Sequence, residues 1–251
     1  MIDAYTHCGI SKFLPVENVL SAMSSAGVSR AVLCQHLGEY DNSYIEHVVL
    51  ARPEQFTGVA LVDHEDDNWR ESLARVARSS AFGGIRTVAE TLALRPEIAL
   101  EASLLGLVIV VYAADGIADA VSPIRQLLET NPAAVIEVTH LGNPKVEAEE
   151  LIAGFELLDL ADEPGVVVTL SGLPMFCDYP YQPLDELIVA SIDAFGPHRL
   201  LWGSNYPVAG PEPSHFQREL DLIRAGHWGL DASAVEAITS RNAERVWFSG
   251  P

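Results

Sequence analysis

Short apolar runs recur along the chain and alternate with longer stretches whose apolar positions follow a helical period. The runs are continuous rather than alternating, and they are rich in Val, Ile and Leu. That composition is typical of parallel strands that are buried on both faces. We therefore predict eight strands, within residues 1–7, 30–36, 56–62, 83–88, 107–113, 134–140, 166–170 and 199–203.

Amphipathic stretches between these runs predict helices. Between residues 67 and 79, for example, Trp69, Leu73 and Val76 recur on one helical face. Residues 15–25 begin with a proline and are followed by Gly27, which favours a helix that starts and stops there. We predict further helices at 42–51, 95–105, 117–130, 145–160, 183–195, 214–225 and 232–246.

The regular alternation of strands and helices over 251 residues predicts a single domain, residues 1–251. Eight such units in about 250 residues match the (β/α)8 TIM barrel, an α/β fold. An open, doubly wound sheet is the second interpretation, but that fold usually carries a glycine-rich turn after its first strand. The first run ends in Tyr5-Thr6-His7-Cys8-Gly9, which has no such pattern. We therefore favour the barrel.

Acidic residues outnumber basic ones, with 35 Asp and Glu against 15 Lys and Arg and a net charge of −20. This field repels phosphates, so we expect neither a nucleic-acid partner nor an anionic membrane surface. No apolar run is long enough to cross a bilayer. The three cysteines do not form a disulfide framework and the first residues are no secretory leader, which predicts a cytoplasmic protein. We expect a small-molecule partner, an anionic substrate, and leave a homo-oligomer open.

Polar and titratable side chains recur at the end of nearly every predicted strand. A barrel gathers these ends at one mouth, where its functional residues lie. In chain order the ends carry Tyr5, His7, Cys34, Gln35, His36, Asp63, His64, Arg86, Tyr112, His140, Ser171 and Asn205. An aromatic, turn-rich segment, residues 175–181, follows the seventh strand. We expect it to form either a wall of the pocket or a subunit contact.

Several short motifs carry a family resemblance, and their order along the chain makes it specific. They are Asp3-Ala4-Tyr5-Thr6-His7, Gly84-Ile85-Arg86, Thr139-His140-Leu141-Gly142, Leu170-Ser171-Gly172, Gly203-Ser204-Asn205-Tyr206-Pro207 and Asn242-Ala243-Glu244-Arg245-Val246-Trp247-Phe248. In these motifs the chain resembles the amidohydrolase superfamily, in particular the amidohydrolase-related branch that includes lactonases and metal-dependent decarboxylases. The resemblance implies a TIM-barrel enzyme of the hydrolase type.

The chain departs from this family at its metal ligands. The resemblance implies that metal-using members bind a divalent ion, often zinc, through two first-strand histidines and an eighth-strand aspartate, helped by histidines on the fifth and sixth strands. Here Tyr5, Tyr112 and Asn205 stand at three of those positions, and only His7 and His140 remain. A catalytic zinc ion usually takes three His, Cys or carboxylate ligands. We therefore expect no metal and no other cofactor, with a zinc site completed by substitute ligands as the alternative.

Without a metal or the aspartate, proton transfer falls to histidine. An imidazole near its free pKa is a suitable base at neutral pH, so His7 or His140 would activate water. Arg86 is the expected anchor for a substrate carboxylate, because its planar fork binds carboxylates bidentately. A salt bridge at the barrel rim is the structural alternative for Arg86.

The remaining site candidates are neutral hydrogen-bonding groups. Tyr5 and Tyr112 are expected either to donate to a substrate carbonyl or only to fill space where ligands were lost, and Asn205 to line the site with them. Together these roles predict a metal-independent hydrolase of a small, carboxylate-bearing cyclic ester, a lactone. Three alternatives stay open: a lyase, decarboxylase or isomerase on the same barrel; a catalytically silent barrel that binds a metabolite or a protein; and a zinc hydrolase with substituted ligands.

Overall fold

The computed structural model describes residues 1–208, 210 and 212–249, so the last two residues of the predicted domain lie outside the described part. Eight of its strands form one parallel sheet in the order β1-β2-β3-β4-β5-β6-β9-β10. These strands are β1 Ile2–Thr6, β2 Arg30–Cys34, β3 Phe56–Leu61, β4 Phe82–Val88, β5 Val108–Tyr112, β6 Ile136–Val138, β9 Val166–Leu170 and β10 Leu200–Trp202. All eight predicted strands are confirmed.

Backbone hydrogen bonds between the first and last strands close the sheet into a barrel. The Asn205 N–H donates to the Tyr5 carbonyl over 2.9 Å, and the His7 N–H donates to the Tyr206 carbonyl over 2.8 Å. Closure removes the two edges that an open sheet would leave unpaired. The (β/α)8 prediction is therefore confirmed, and the doubly wound alternative is wrong.

Helices pack around the outside of the barrel. In α3 the predicted face is buried, with Trp69, Leu73 and Val76 turned inward. The first helix ends at Gly27, whose left-handed φ of 69° suits glycine. The described helices are α1 Val16–Ala26, α2 Ser43–Ala51, α3 Trp69–Arg78, α4 Ala89–Leu94, α5 Pro96–Leu104, α6 Ala118–Thr130, α7 Asp185–Phe195, α8 Pro213–Arg224 and α9 Ala232–Glu236. Of these, α4 was not predicted.

The predicted helix at 145–160 is wrong. The segment forms an antiparallel hairpin, β7 Lys145–Glu147 and β8 Glu150–Ala153, followed by a 3₁₀ helix at Phe155–Leu160. Both residues of the two-residue turn, 148 and 149, have positive φ, as a type I′ hairpin turn requires. Gly154 then adopts a φ of 141°, which no α-helix contains.

The closing helix at 232–246 is confirmed, but it is wider than an ordinary α-helix over part of its length. After α9 the chain continues through π-helical segments at Ala237–Arg241 and Glu244–Phe248. Its Trp247 ring packs beside Gly83 and Gly84 at the start of β4, where added Cβ atoms would lie 3.1–3.3 Å from the indole. This ring closes the N-terminal end of the barrel, so the open end is the one where the strands finish. No helix in the described ranges is long and apolar enough to cross a membrane.

Candidate active site

A cavity of about 230 Å³ opens at the C-terminal end of the barrel, and we call it the mouth cavity. It is lined by His7, Lys12, Phe13, His36, Leu37, Arg86, Tyr112, His140, Met175, Asn205 and Val208. The predicted site residues His7, Arg86, Tyr112, His140 and Asn205 are thus brought together. A larger groove of about 550 Å³ lies at the opposite end beside Arg199, but none of the predicted site residues line it.

His7 follows β1 and is held in one tautomer. Its Nδ1 lies 2.7 Å from the backbone carbonyl of Cys34, which can only accept a hydrogen bond, so Nδ1 carries the proton. The imidazole stacks on Phe13 with ring centroids 4.7 Å apart. Burial, and then the positive charge of Arg86, hold the pKa of His7 well below 6.5. The ring is therefore neutral, with Nε2 free to accept a proton.

His140 leaves β6 on a left-handed turn and contacts Ser171 at the end of β9. The φ values from His140 to Asn143 are all positive, between 53° and 72°, a strained run of the kind that persists at functional sites. His140 Nδ1 and Ser171 Oγ share a hydrogen bond of 2.8 Å. Burial, with help from the Arg86 charge, lowers the pKa of His140 to about 3. Both mouth histidines are thus uncharged near neutral pH.

Arg86 comes from β4 and is a buried cation, only 8% exposed. Nη1 donates to the Gln35 carbonyl over 3.1 Å, while Nε has no hydrogen-bond partner among the described residues. The guanidinium lies 5.1 Å from the ring centre of Tyr112 and 5.7 Å from that of Tyr5. Within the described part of the chain it makes no salt bridge, so the structural alternative of a rim ion pair finds no support.

Asn205 and Gly172 fit closely together below the cavity. Asn205 has a φ of 50°, and its amide nitrogen contacts the Met175 sulfur at 3.5 Å, a weak acceptor. A Cβ on Gly172 would lie 2.9 Å from Asn205 Nδ2, His140 Nδ1 and Met175 Cε. Only glycine at this position lets the loop after β9 approach both polar groups.

The two predicted tyrosines occupy different layers. Tyr112 is half-buried, lines the mouth cavity, and meets His140 edge-on at 5.8 Å between ring centroids. Tyr5 is fully buried beneath the cavity, does not line it, and lies edge-on to His7 and His140 at 5.0 and 4.9 Å. Its hydroxyl forms no hydrogen bond of normal geometry, although the Cys34 thiol is a close neighbour. Tyr5 therefore lies under the two imidazoles and not at the surface of the mouth cavity.

A buried carboxyl group secures the junction of β1 and β10. Asp3 Oδ1 accepts from the Ser204 N–H at 2.8 Å and from the Tyr5 N–H at 3.1 Å, and Oδ2 accepts from the Ser204 hydroxyl at 2.5 Å. Burial raises the pKa of Asp3 to about 7 despite these hydrogen bonds. The strand ends that carry His7 and Asn205 are thereby fixed to each other.

The donor set at the mouth does not fit a catalytic zinc ion. In the described ranges no group of three or more His, Cys, Asp or Glu side chains is placed to hold a metal. The residues at the three lost ligand positions are two phenols, Tyr5 and Tyr112, and an amide, Asn205, which leaves His7 and His140 as the imidazole donors. Burial raises the pKa of Tyr5 well above its usual range, so without an ion the phenol keeps its proton.

Several lining residues were not found from the sequence. Lys12 and Phe13 belong to the loop after β1, and Leu37 and Val208 to the loops after β2 and β10. Loop paths depend on tertiary contacts, so no local pattern marks these residues. Ser171 was predicted to lie at a strand end but was given no role in the site, and the structure makes it the hydrogen-bond partner of His140. Of the segment 175–181, which was expected to form either a pocket wall or a subunit contact, Met175 lines the mouth cavity.

Comparisons with known proteins agree with this architecture. A family model described as amidohydrolase (Amidohydro_2) matches residues 4–248. A search of curated proteins gives no match. Among solved structures, an amidohydrolase from Burkholderia multivorans with bound zinc is 19% identical, with a TM-score of 0.80 and 98% of both chains covered.

Two other solved structures have related folds. A protein from Pseudomonas putida described as a 2-pyrone-4,6-dicarboxylic acid hydrolase is 22% identical, with a TM-score of 0.79 and coverage of 98% of this chain and 96% of that one. A 2,6-dihydroxybenzoate decarboxylase from Rhizobium is 13% identical, with a TM-score of 0.71 and coverage of 98% and 97%. At these identities the likeness shows the fold alone.

Proposed function

The chain belongs to the amidohydrolase family, and from this membership we propose that it is a hydrolase that opens a small, carboxylate-bearing cyclic ester without a metal ion. In this proposal Arg86 binds the carboxylate, His7 is the general base, and Asn205 and Tyr112 stabilise the oxygen of the attacked carbonyl. Family membership supports the reaction class, whereas the residues at the mouth support the assignment of roles.

The observation that carries the proposal is the unpaired charge of Arg86. A buried cation without a counter-ion is costly, and an anionic ligand removes that cost. The chain has 35 acidic residues, yet none of the described residues that line the mouth cavity is acidic, and two of them, Arg86 and Lys12, are cationic. The cavity is therefore suited to an anion although the protein as a whole repels one.

His7 is the better base of the two histidines because its tautomer is settled. With Nδ1–H bound to the Cys34 carbonyl, Nε2 can take a proton from water. An anion bound at Arg86 offsets the charge that lowers the pKa of His7, so the imidazole becomes a stronger base when substrate is present.

In the proposed reaction, His7 moves one proton from the attacking water to the leaving alkoxide. Water oxygen attacks the ester carbonyl carbon while its proton passes to His7 Nε2. The carbonyl oxygen gains negative charge, which amide and phenol N–H and O–H donors stabilise in a site away from bulk water. Among the described residues the one acceptor of Asn205 Nδ2 is a weak thioether, so the amide can donate to this oxygen. The ring C–O bond breaks, and the leaving alkoxide receives the proton from His7.

The test is a panel of lactones with and without a carboxylate, assayed with and without a strong chelator. We expect turnover of carboxylate-bearing members only, no loss of activity with chelator, and no stoichiometric metal by elemental analysis. Arg86→Gln is expected to raise KM by about tenfold or more. Activity that disappears with chelator and returns with zinc would contradict the proposal.

A non-hydrolytic lyase is the second candidate, and one observation favours it. None of the described residues lining the cavity is a carboxylate that could activate water, so the histidines could instead move a proton to and from carbon. Turnover in water labelled with oxygen-18 separates the two reactions, because hydrolysis places the label in the product. Carboxylate binding without any turnover across the panel would indicate a binding barrel.

A further inference from the structure

The mouth cavity has a polar floor and an apolar rim. The floor consists of His7, Arg86, His140 and Asn205, each less than 9% exposed. At the outer edge of the same cavity the exposed lining residues are mostly apolar. This order is the reverse of the usual one, in which polar groups face solvent and apolar groups lie deeper.

Three side chains from separate loops make up what we call the apolar rim. Leu37 follows β2, Met175 follows β9 and Val208 follows β10, and they are 37%, 39% and 42% exposed. A single exposed apolar side chain is ordinary, whereas these three line the opening of one cavity, so a ligand bound there would cover all three. The chain has a net charge of −20, so charged side chains are plentiful, and the grouping of three apolar side chains at this opening points to a role in binding.

Lys12 is the polar residue at the edge of the cavity, and it does not interrupt the apolar rim. Lys12 is exposed, but its ammonium lies over the Phe13 ring at 5.3 Å from the centroid, and the stem of a lysine is itself apolar. Phe13 continues inward to the His7 imidazole, on which it stacks. An apolar path therefore runs from the apolar rim to the His7 imidazole.

We propose that the ligand of this site is an amphipathic anion, whose carboxylate binds Arg86 and whose hydrocarbon tail leaves the cavity across the apolar rim. This inference rests on the proposed function for the position of the carboxylate, and it goes further by specifying the rest of the substrate. A polyhydroxylated, sugar-like lactone is excluded, because its hydroxyl groups would lose water against Leu37 and Val208 without gaining partners.

The experiment measures binding of straight-chain carboxylates from acetate to octanoate by titration calorimetry. For the wild-type chain we expect the affinity to rise about two- to fourfold per added methylene once the tail reaches the rim. Leu37→Ser and Val208→Ser should reduce that increment and leave acetate affinity unchanged. Leu50→Ser is the matched control, since Leu50 is 53% exposed on α2 and away from the cavity. Circular dichroism checks that each variant is folded.

The outcomes separate this inference from the proposed function. Arg86→Gln should weaken every member of the series, acetate included. If acetate binding depends on Arg86 but affinity is flat with chain length, the amphipathic ligand is ruled out and the anion site stands. If no carboxylate binds in a way that depends on Arg86, both proposals fail.

A second copy of the chain is the competing occupant of the rim. Sedimentation velocity at the concentrations used for calorimetry decides this point. A dimer that Leu37→Ser dissociates, together with an unchanged increment per methylene, would overturn the inference and assign the rim to self-association. A sedimentation coefficient that Leu37→Ser leaves unchanged, with a reduced increment, supports it.

Discussion

His7 donates from Nδ1 to the backbone carbonyl of Cys34 over 2.7 Å, and this bond between neighbouring strands determines which imidazole nitrogen faces the mouth. A backbone acceptor is part of the barrel and cannot rotate away, so the orientation does not depend on another flexible side chain. Nε2 is therefore left unprotonated, which is the form that the proposed general base requires.

Replacing His7 by Asn should therefore remove the base and keep the binding site. We expect kcat to fall by about 10²- to 10⁴-fold, the usual contribution of a general base, while carboxylate affinity changes little because Arg86 is intact. Steady-state kinetics and calorimetry measure the two quantities. His47→Asn, an exposed histidine on α2, is the control and should have wild-type kinetics. A loss of kcat below tenfold would assign the base role to another group.

The pH dependence should respond to Arg86. Burial and the Arg86 charge both lower the pKa of His7, and the base acts only when unprotonated, so activity rises with pH through that pKa. In the free enzyme the acid limb of kcat/KM is expected well below pH 6.5. Arg86→Met removes the second largest of the causes that lower this pKa, so the acid limb should move to higher pH.

Substrate should act in the same direction, because a bound carboxylate neutralises Arg86. The acid limb of kcat, which reports the complex, is therefore expected at higher pH than that of kcat/KM. Arg70→Met serves as the surface control, since its side chain is 62% exposed. Identical acid limbs in the wild type and in Arg86→Met would show that Arg86 does not act on the base.

The barrel strands could be predicted because their chemistry is local. Parallel strands covered on both faces need unbroken Val, Ile and Leu runs, and each of the eight runs became a strand. The hairpin at 145–153 escaped prediction because Glu, Ala and Leu there are good helix formers, and what decides against a helix is a turn with two positive φ values. Composition does not encode such a turn unless glycine or asparagine is present.

Only the site residues that lie at strand ends could be predicted from the sequence. His7, Arg86 and His140 lie at strand ends, and the barrel brings any such residues together. Tyr5 shows the limit of that argument, since a residue two positions earlier on the same strand lies under the cavity rather than in it. The support of His140 by Ser171 depends on how β6 and β9 are aligned, which no local pattern shows.

Stability should fall as the pH rises, because the interior holds carboxyl groups that prefer their protonated form. Glu137 accepts from the Thr169 hydroxyl at 2.5 Å and from the Trp247 indole N–H at 3.0 Å, yet burial raises its pKa to about 8. Between its ordinary value of 4.5 and about 8, the folded chain keeps a proton that the unfolded chain has released. Each unit of that difference costs about 1.4 kcal/mol of stability as the pH rises.

Glu137→Gln should make the free energy of unfolding less dependent on pH, because glutamine keeps the shape of the side chain but does not titrate. Urea denaturation followed by tryptophan fluorescence at pH 7, 8 and 9 measures it, and we expect the wild-type midpoint to decrease across the series. Below pH 6.5 the lowered pKa values of His7 and His140 act in the opposite direction, so the series starts at pH 7. Asp3 and Glu219 also have raised pKa values, so part of the slope remains in the variant. Exposed Glu129→Gln should keep the full wild-type slope. A wild-type midpoint that rises with pH would contradict the argument.

Gly172 and Gly106 offer a matched pair for testing whether close packing at the mouth positions the polar groups. Both glycines have left-handed backbones, with φ values of 66° and 82°. A Cβ on Gly172 meets His140 and Asn205 at 2.9 Å, whereas a Cβ on Gly106 meets nothing within 4 Å. Alanine at either position adopts the same unfavourable conformation, at a cost of about 1–2 kcal/mol.

We therefore expect Gly172→Ala and Gly106→Ala to lower the free energy of unfolding, with only the first also reducing kcat/KM, by about 10²-fold. A displacement of about 1 Å at a catalytic group is enough for such a loss, and the added methyl group forces His140 and Asn205 to move. Urea denaturation gives the stability and steady-state kinetics the activity. Full activity in Gly172→Ala would mean that the loop after β9 does not position these side chains, because the imidazole and the amide would then tolerate the shift that the methyl group imposes.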